Sequence, residues 1–579
     1  MKRIPWHIVI LGIFLFFFFW GLNAQYPVLG HDYFYFFPRM LEGKWHFLRQ
    51  GLLPLRFAPH LCGGFPQYGN PQDLFYSLPQ FLSFFLDLWT AAQLSIFIGM
   101  VLGYVGWVFF GKDVLRLTSP WSHVLALVCT ANGFFFVHLA VGHLSYFTLP
   151  LMSWVLWVLF HREKESNRFV LLQRATFATV LAGIFLYSGS HLASFIILPL
   201  IVFFLPFDLL LSAEPRNRLI VLGRRCFFFG LASLTLGASK LVAVYSVMRV
   251  LPRSMAFYEY TAGQNVLLFA AKALWAFPQL PWFFTQDPIN RIHEESMFTS
   301  PVVLIGIMVL AWLFLKNPHI GRWKKVFLAI TALCIAGFLL GIVHGVGIIP
   351  ETLQKFPFFS SLRVPERFLL ILALLFSIGG IRGLALLFQK ERWKVWNARA
   401  ALGASVLTVA AFIGAYSPLL QSLEYTLPYD QINASLHADP DPLKQPITKV
   451  QNLRGLKVSD FHYFFQGSTG SRCYETIQSS NFPALQDGPV NLAWDDALNV
   501  YNPACIAYGK ENGCRPGDRI DIDDLPNLER FINGKQTTWK LSAAQHVADG
   551  VTLVALLGII LVTVLSALYT CRKIWSARG

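Results

Sequence analysis

The sequence predicts an α-helical membrane protein with about twelve spans and a small α+β domain outside the cytoplasm, just before the last span. The chain of 579 residues is 55% hydrophobic and contains 54 phenylalanines, which is more apolar surface than a water-soluble domain carries. Its apolar runs approach the ~20 residues needed to cross a bilayer core. A long polar stretch, residues 418–548, interrupts this pattern near the end.

Each apolar run is assigned to one span. The first run follows Lys2 and Arg3 and could instead be a secretory signal peptide, since Leu22-Asn23-Ala24 loosely resembles a cleavage site. We favour a span, because an even number is needed to keep both termini on one side. The predicted spans are 5–24, 89–111, 121–138, 144–161, 175–188, 192–212, 226–250, 301–315, 326–349, 367–388, 400–417 and 549–570.

The net charge of +15 is distributed as a topology signal. Short loops rich in Lys and Arg stay cytoplasmic, and all such loops fall on one side when both termini are cytoplasmic. This placement leaves no basic patch for nucleic acid, so we expect no nucleic-acid partner. The resulting division is a membrane module (1–417) with outer loops 25–88, 251–300 and 350–367, an extracytoplasmic domain (418–548), and a final helix with a cytoplasmic tail (549–579).

The extracytoplasmic domain shows frequent turn signals between short stretches of regular pattern. Residues 447–450 and 498–501 favour strands, and 525–532 favours a short helix. Cys505 and Cys514 close a short loop and are the predicted disulfide, although four outer cysteines, including Cys62 and Cys473, allow three pairings. Zinc is the weaker alternative, because no His neighbours these cysteines at ligand spacing.

Asp32 is the leading catalytic candidate. It follows His31 directly after the first span, at the head of the long first outer loop. An acid where a helix meets water suits chemistry at a membrane surface. The alternative is an aspartate that only caps the next helix.

Other outer polar residues are substrate-binding candidates. Aromatic side chains lie between them in the first loop, where they suit either stacking on sugar rings or the membrane head-group belt. Glu294 and Glu295 could also only decorate the entry to a span, and a lone His at a helix end is commonly a cap. The substrate-binding candidates are His31, Arg39, Gln72, Asp73, His143, His191 and Glu295.

Four basic residues are candidates for binding an anion such as a lipid phosphate. Lys240 lies inside a span, where polar side chains are costly and therefore functional candidates, although it could snorkel to the interface. Arg253, Arg363 and Arg367 lie at outer helix ends, and guanidinium groups match phosphate oxygens. The alternative for Arg367 is an ion pair with Glu366.

Motifs of soluble enzymes are absent from the sequence. It contains no P-loop lysine, no dinucleotide glycine fingerprint after a strand, no His-Glu-x-x-His and no Gly-x-Ser-x-Gly. A sugar-nucleotide donor or ATP-driven pumping is therefore not expected.

The order of several short motifs resembles a known family. They are Asp32, Pro54-Leu55-Arg56-Phe57-Ala58-Pro59, Gly63-Gly64-Phe65-Pro66, Asn70-Pro71-Gln72 before Tyr76 and Pro79, Gly142-His143 with Pro150, Ser188-Gly189-Ser190-His191, Glu295 before Pro301, and Arg363-Val364-Pro365-Glu366-Arg367-Phe368. Over roughly residues 1–417 the chain resembles the YfhO-type bacterial membrane proteins of the GT-C glycosyltransferase superfamily.

The resemblance implies a function. Such enzymes take a saccharide from a polyprenyl-phosphate carrier on the outer face of the bacterial inner membrane. It implies that Asp32 is the general base or orients the acceptor, and that Lys240, Arg363 and Arg367 hold the carrier phosphate. Some members bind a divalent metal, but the paired carboxylates are not evident here, so we predict no cofactor. Residues 418–548 depart from the large β domain of the family, which leaves a glycan, lipid or protein of the cell envelope as acceptor.

Two other classes are weighed against this one. A transporter or lipid flippase also fits twelve spans, but it predicts two similar halves and polar groups near the bilayer midplane. A scaffold for other envelope proteins leaves Asp32 and Lys240 without a role.

Overall fold

A computed structural model describes most of the chain. The described residues are 5–162, 168–210, 212–250, 265–275, 294–318, 320–356, 359, 364–420, 425–439, 441, 444–451, 461–470, 487–490, 507–513 and 525–576.

The described part is mostly helical, with a few very short strands. In chain order its α-helices are α1 Trp6–Leu22, α2 Tyr33–Gln50, α3 Leu78–Ser83, α4 Leu88–Phe109, α5 Ser119–Thr130, α6 Gly133–Val141, α7 Met152–Phe160, α8 Arg168–Tyr187, α9 His191–Leu210, α10 Pro215–Val250, α11 Val266–Trp275, α12 Pro301–Lys316, α13 Arg322–Val343, α14 Ile348–Gln354, α15 Leu369–Phe388, α16 Asn397–Leu420, α17 Tyr429–Ala438, α18 Phe461–Phe465, α19 Leu525–Ile532 and α20 Ala543–Ser576. The strands are β1 Val28–Leu29, β2 Leu427–Pro428, β3 Lys449–Gln451, β4 Ser468–Gly470 and β5 Gly488–Pro489.

Nine helical segments within the described residues are long and apolar enough to cross a membrane. They are Leu88–Val114, Ser119–Val141, Val170–Tyr187, Leu192–Leu210, Pro215–Val250, Arg322–Val343, Pro365–Phe388, Glu391–Pro418 and Ala543–Tyr569. The three other predicted spans coincide with shorter apolar helices, Trp6–Leu22, Leu144–Phe160 and Pro301–Lys316. The predicted class of multi-pass helical protein is confirmed at this level.

The long helices pack closely where small residues allow it. On α12, a Cβ at Gly306 would lie 2.2 Å from the carbonyl oxygen of Gly380 on α15, so this pair of helices touches through backbone. In contrast, α20 leaves much of its apolar surface outward, with Val554 70% exposed and Leu561 58% exposed. Such a surface suits contact with lipid chains rather than water.

The first outer loop is folded into the protein. Its helix α2 has a polar and an apolar side, and Tyr33, Phe37 and Trp45 on it are buried. The hypothesis that the aromatic residues of this loop form a head-group belt is therefore wrong for these three, because they pack in the protein core.

Residues 418–548 pack directly on that loop. Strand β2 pairs antiparallel with β1, while β3 pairs parallel with β4 and antiparallel with β5 in a small mixed sheet. Thr469 on β4 donates to the carbonyl oxygen of Pro59 at 2.7 Å, and Gly470 donates to that of His60 at 3.3 Å. The predicted helix 525–532 is present as α19, and β3 overlaps the predicted strand 447–450. The predicted strand at 498–501 lies outside the described residues.

Candidate active site

Two glycines fix the turn that carries Asp32. A Cβ at Gly30 would lie 2.3 Å from the carbonyl oxygen of Val141, and one at Gly142 would lie 2.5 Å from the backbone nitrogen of Tyr33. Gly142 also has a φ of +116°, which favours glycine. The backbone N–H of Asp32 donates to the Val141 carbonyl at 3.0 Å. The start of α2 is therefore held against the end of α6, which brings His143 to Asp32.

The Asp32 carboxylate lies between two imidazoles. Oδ2 contacts Nε2 of His143, and Oδ1 lies 3.2 Å from Nε2 of His31. Asp32 occupies the N-cap position of α2, but its side chain makes no capping hydrogen bond. The capping alternative is therefore wrong. The His31 side chain is 41% exposed and that of Asp32 is 10% exposed, so the carboxylate is mostly buried and lies next to an exposed ring.

An ion pair between Arg367 and Glu294 lies beside Asp32 and its two histidines. Arg367, at the start of the span that continues into α15, binds the Glu294 carboxylate through two nitrogens. Nε donates to Oε2 at 2.7 Å, and Nη2 donates to Oε1. On α6, the Nε2 atom of His138 lies 3.3 Å from Oε2 of Glu294. The alternative that Arg367 pairs with its neighbour Glu366 is wrong.

Tyr146 and the two histidines join these groups. The ring centroids of His138 and His143 are 5.0 Å apart, and those of His143 and Tyr146 are 5.1 Å apart. The Arg367 guanidinium lies 5.7 Å from the centre of the Tyr146 ring. We call this set the Asp32 cluster: Asp32, His138, His143, Tyr146, Glu294 and Arg367.

The electrostatics of the Asp32 cluster keep Glu294 ionised. Burial alone would raise the pKa of the Glu294 carboxyl, but the Arg367 guanidinium and His138 outweigh burial and hold that pKa well below its ordinary value. A lowered folded-state pKa contributes stability above the unfolded pKa of about 4.3, and that contribution is lost as the pH falls toward the folded value. The Glu294–Arg367 pair is therefore intact at neutral pH.

Two further carboxyl groups lie next to this pair. The predicted substrate-binding residue Glu295 is 8% exposed, and Glu366 is fully buried. Among the described residues, neither oxygen of Glu366 has a hydrogen-bond partner. A buried carboxyl without partners is costly, so Glu366 is an unusual group on this side of the Asp32 cluster.

The structure corrects the assignment of Lys240 as a phosphate ligand. Its ammonium group donates to the carbonyl oxygens of Tyr68 at 2.8 Å and Asn70 at 2.9 Å, and to Oδ2 of Asp73 at 3.1 Å. An ammonium group has three protons, and each therefore has an acceptor inside the protein. Since Lys240 is only 1% exposed, it is an internal counter-ion. The same contacts make Asp73 its partner rather than a substrate ligand.

A series of polar contacts connects the buried Lys240–Asp73 pair with α20, the last helix. Tyr68 Oη lies 2.8 Å from Oγ of Ser239, which donates to Oδ1 of Asp549 on α20 at 2.6 Å. Arg56 of the first outer loop binds Oδ2 of Asp549 at 2.9 Å. The polar residues around Lys240 thus connect the loop, α10 and α20.

The remaining first-loop candidates have structural contacts. The Arg39 guanidinium stacks 3.7 Å from the centre of the Tyr35 ring and is 3% exposed. The backbone N–H of Gln72 donates to Oδ1 of Asn70 at 2.9 Å. A Cβ at Gly189 would lie 2.6 Å from the Gln72 carbonyl oxygen, which brings the start of α9 close to this loop.

Several predicted residues cannot be placed. Arg253, Arg363, Cys505 and Cys514 lie outside the described residues, as does the side chain of His191, whose backbone begins α9. Cys62 forms a disulfide, whereas Cys129, Cys226, Cys334 and Cys571 are free. The partner of Cys62 lies outside the described residues.

Sequence reasoning missed three members of the Asp32 cluster: His138, Tyr146 and Glu294. His138 lies in an apolar helix, where any ionisable residue is a functional candidate, and that signal was available. Glu294 was recognised only together with its neighbour, and nothing in the sequence distinguishes the two. Among the residues that the structure describes, no group of three His, Cys, Asp or Glu side chains could hold a metal ion.

Comparison with known proteins adds no assignment. No protein-family model matches the chain, and neither the curated proteins nor the solved structures contain a match.

Proposed function

We propose that this chain is a membrane glycosyltransferase that moves a sugar from a polyprenyl-phosphate donor to an acceptor of the bacterial cell envelope. The proposal combines the resemblance to YfhO-type proteins of the GT-C superfamily with a twelve-span topology. In that topology both termini are cytoplasmic, and the Asp32 cluster faces the outer side of the inner membrane. The observation that carries it is the Asp32–His143 contact beside the Glu294–Arg367 pair.

Asp32 fits the role of general base. Its carboxylate is oriented by His143 on one oxygen and His31 on the other, so both oxygens are held in place beside the edge where an acceptor would bind. The glycine-dependent turn fixes the backbone on which it sits. A positioned base contributes ~10²–10⁴-fold to rate.

The reaction is a single displacement. Asp32 accepts the proton of an acceptor hydroxyl, and the acceptor oxygen attacks the anomeric carbon of the donor. The bond from that carbon to the polyprenyl phosphate oxygen breaks, and the phosphate leaves with the electron pair. One displacement inverts the anomeric configuration. Cations near the departing phosphate stabilise the charge that develops on it.

Among the predicted phosphate ligands, the arginines are now favoured over Lys240. Arg367 uses Nε and Nη2 on Glu294, and among the described residues its Nη1 atom is left for a ligand. Arg253 and Arg363 keep their predicted role. Glu294 then positions Arg367 rather than touching the donor.

The test uses the purified full-length protein in lipid nanodiscs with a panel of radiolabelled polyprenyl-phosphate sugars. Asp32→Asn preserves size and hydrogen bonding but cannot accept the proton, so turnover should fall ~10²–10⁴-fold. Asp87→Asn is a matched control. Asp87 also directly precedes a helix, α4, on the outer side. Its carboxylate accepts a capping hydrogen bond from the backbone N–H of Thr90 at 3.0 Å, and asparagine is an equally good cap.

Two results would count against this function. Transfer at the wild-type rate by the Asp32→Asn protein would remove the general base. Retention of the anomeric configuration in the product, measured by NMR, would remove the single displacement.

A transporter or lipid flippase remains the second candidate, because an ionisable residue inside a span, here Lys240, is typical of transport pathways. It predicts movement of a labelled lipid or sugar across proteoliposomes without any glycosylated product.

A further inference from the structure

The two imidazole rings that contact Asp32 differ in their exposure. The ring of His143 lies against those of His138 and Tyr146, with centroids 5.0 and 5.1 Å away, and the His143 side chain is 14% exposed. The His31 side chain, beside the other carboxylate oxygen, is 41% exposed. One ring is therefore enclosed by the protein, whereas the other contacts the carboxylate and is accessible from outside.

The backbone of His31 is fixed, although its ring is exposed. Its carbonyl oxygen accepts a hydrogen bond from the backbone N–H of Phe34 at 3.0 Å, in the first turn of α2. On either side of His31, the N–H of Asp32 donates to the Val141 carbonyl oxygen, and Gly30 packs against the same carbonyl. The ring can therefore move only by rotation about its side-chain bonds, and in the observed orientation Nε2 lies 3.2 Å from Oδ1 of Asp32.

The proposed displacement leaves one proton on Asp32 in every turnover. Asp32 can act as a base again only after this proton has left the carboxyl group. The Asp32 side chain is 10% exposed, and a bound acceptor would cover part of the exposed surface. A neighbouring group that both accepts and releases a proton would provide a route to water, and imidazole is the side chain best suited to this task near neutral pH.

We propose that His31 relays the proton from Asp32 to water, a role that rests on the proposed function. The acceptor hydroxyl gives its proton to Asp32 as the acceptor oxygen bonds to the anomeric carbon. Asp32 passes this proton to the unprotonated Nε2 of a neutral His31 ring, which carries its own proton on Nδ1. The imidazolium then releases the Nδ1 proton to water. Asp32 is a carboxylate again, and rotation of the exposed ring returns an unprotonated nitrogen to it.

Replacement of His31 by glutamine tests the relay. Glutamine keeps a hydrogen-bonding group near Asp32 but cannot carry a proton. The wild type, His31→Gln and the control His437→Gln are compared in the same nanodiscs, at low buffer concentration and with saturating donor and acceptor. His437 on α17 is also exposed but lies outside the Asp32 cluster, so its variant should keep the wild-type rate.

The expected loss is confined to turnover. The kcat of His31→Gln should fall at least ~10-fold, which is less than the effect of removing the base itself, because water still accepts part of the protons. The KM for the lipid donor should change less than ~2-fold, because His31 does not bind the donor in this mechanism.

Added imidazole separates a relay from a positioning role. In His31→Ala the missing ring leaves room for imidazole from solution, which can take the proton from Asp32. The kcat of this variant should therefore rise with imidazole concentration to within ~3-fold of the wild-type value. The wild type and His437→Gln should not respond. His143→Gln should not respond either, because the ring that it loses is enclosed and holds Asp32 in place.

Two results would overturn the relay and leave the proposed function intact. One is a wild-type kcat in the His31 variants. The other is a loss of kcat that imidazole does not restore in His31→Ala, because His31 would then only position Asp32. Unfolding midpoints identify the folded variants, and either His31 variant alone provides the comparison of kcat. A wild-type protein that transfers no sugar would instead overturn the proposed function, and the relay with it.

Discussion

Replacement of Lys240 by methionine separates a structural role of this residue from a substrate-binding role. Methionine keeps most of the length and volume of lysine but has no proton to donate. The substitution removes the bonds to the Tyr68 and Asn70 carbonyls and leaves Asp73 without its counter-ion. All of these groups are buried, so water cannot replace the lost contacts without opening the loop.

The expected cost is large. Removal of one partner from a buried ion pair costs about 3–5 kcal/mol. Asp73 retains hydrogen bonds from Gln67 at 3.1 Å and from the backbone N–H of Phe75 at 3.2 Å, which favours the lower limit. At about 3 kcal/mol, the unfolding midpoint should fall by about 6–12 °C for a cooperative unit of 150–250 residues.

The assay compares Lys240→Met, Asp73→Asn and the double variant in identical nanodiscs. The double variant should lose less stability than the sum of the two single variants, because no buried charge is then uncompensated. Lys394→Met is the control. Its side chain is 68% exposed, so its midpoint should change by less than about 2 °C.

A different result would contradict the structural role of Lys240. If Lys240→Met unfolds at the wild-type temperature and instead raises the KM for a lipid donor, then the internal contacts do not determine its role. Lys240 would then be a donor ligand, as the sequence alone predicted.

Three further outcomes are expected. Arg367→Met removes the largest charge that lowers the pKa of Glu294 and leaves only His138 against burial, so the unfolding midpoint of this variant should gain less than that of the wild type as the pH rises through about 4. An equal rise of the midpoint in both proteins would contradict the pairing. A cysteine at Lys535 should react with an impermeant thiol reagent in intact cells, and one at Glu391 only after permeabilisation, whereas the reverse pattern would invert the topology. Proteolysis without reduction should recover Cys62 crosslinked, and the predicted Cys505–Cys514 pair leaves Cys473 as its partner. A free Cys62 thiol would contradict the first pairing, and free Cys505 and Cys514 thiols would contradict the second.

Spans were predictable because bilayer thickness imposes a length on each apolar run. The length of an apolar run predicts the membrane crossing but not the whole helix. Helix α10 begins at Pro215, whereas the predicted span begins at residue 226. The first turns of α10 carry arginines, and such polar residues beside an apolar run indicate a loop when only the sequence is considered. In the structure Arg218 and Arg225 fold back onto the end of α7, and such a contact stabilises a helix beyond the membrane without any local signal.

The members of the candidate site were partly predictable, but their pairing was not. Asp32 and His143 were both candidates, yet their contact depends on two glycines that bring distant segments together. Arg367 was predicted to bind phosphate, with an ion pair to its neighbour Glu366 as the alternative. Adjacent residues on a helical turn do not face each other, so a carboxylate from another segment, Glu294, is better placed to bind it.

The two charged sites, around Lys240 and around Asp32, differ in how their charges are neutralised, and this difference argues for different roles. Around Lys240 every proton of the cation has an internal acceptor, so no binding capacity remains and the site stabilises the fold. In the Asp32 cluster Arg367 and Glu294 neutralise each other, and the Asp32 carboxylate contacts His143 and the exposed ring of His31. A substrate is therefore expected at the Asp32 cluster and not around Lys240.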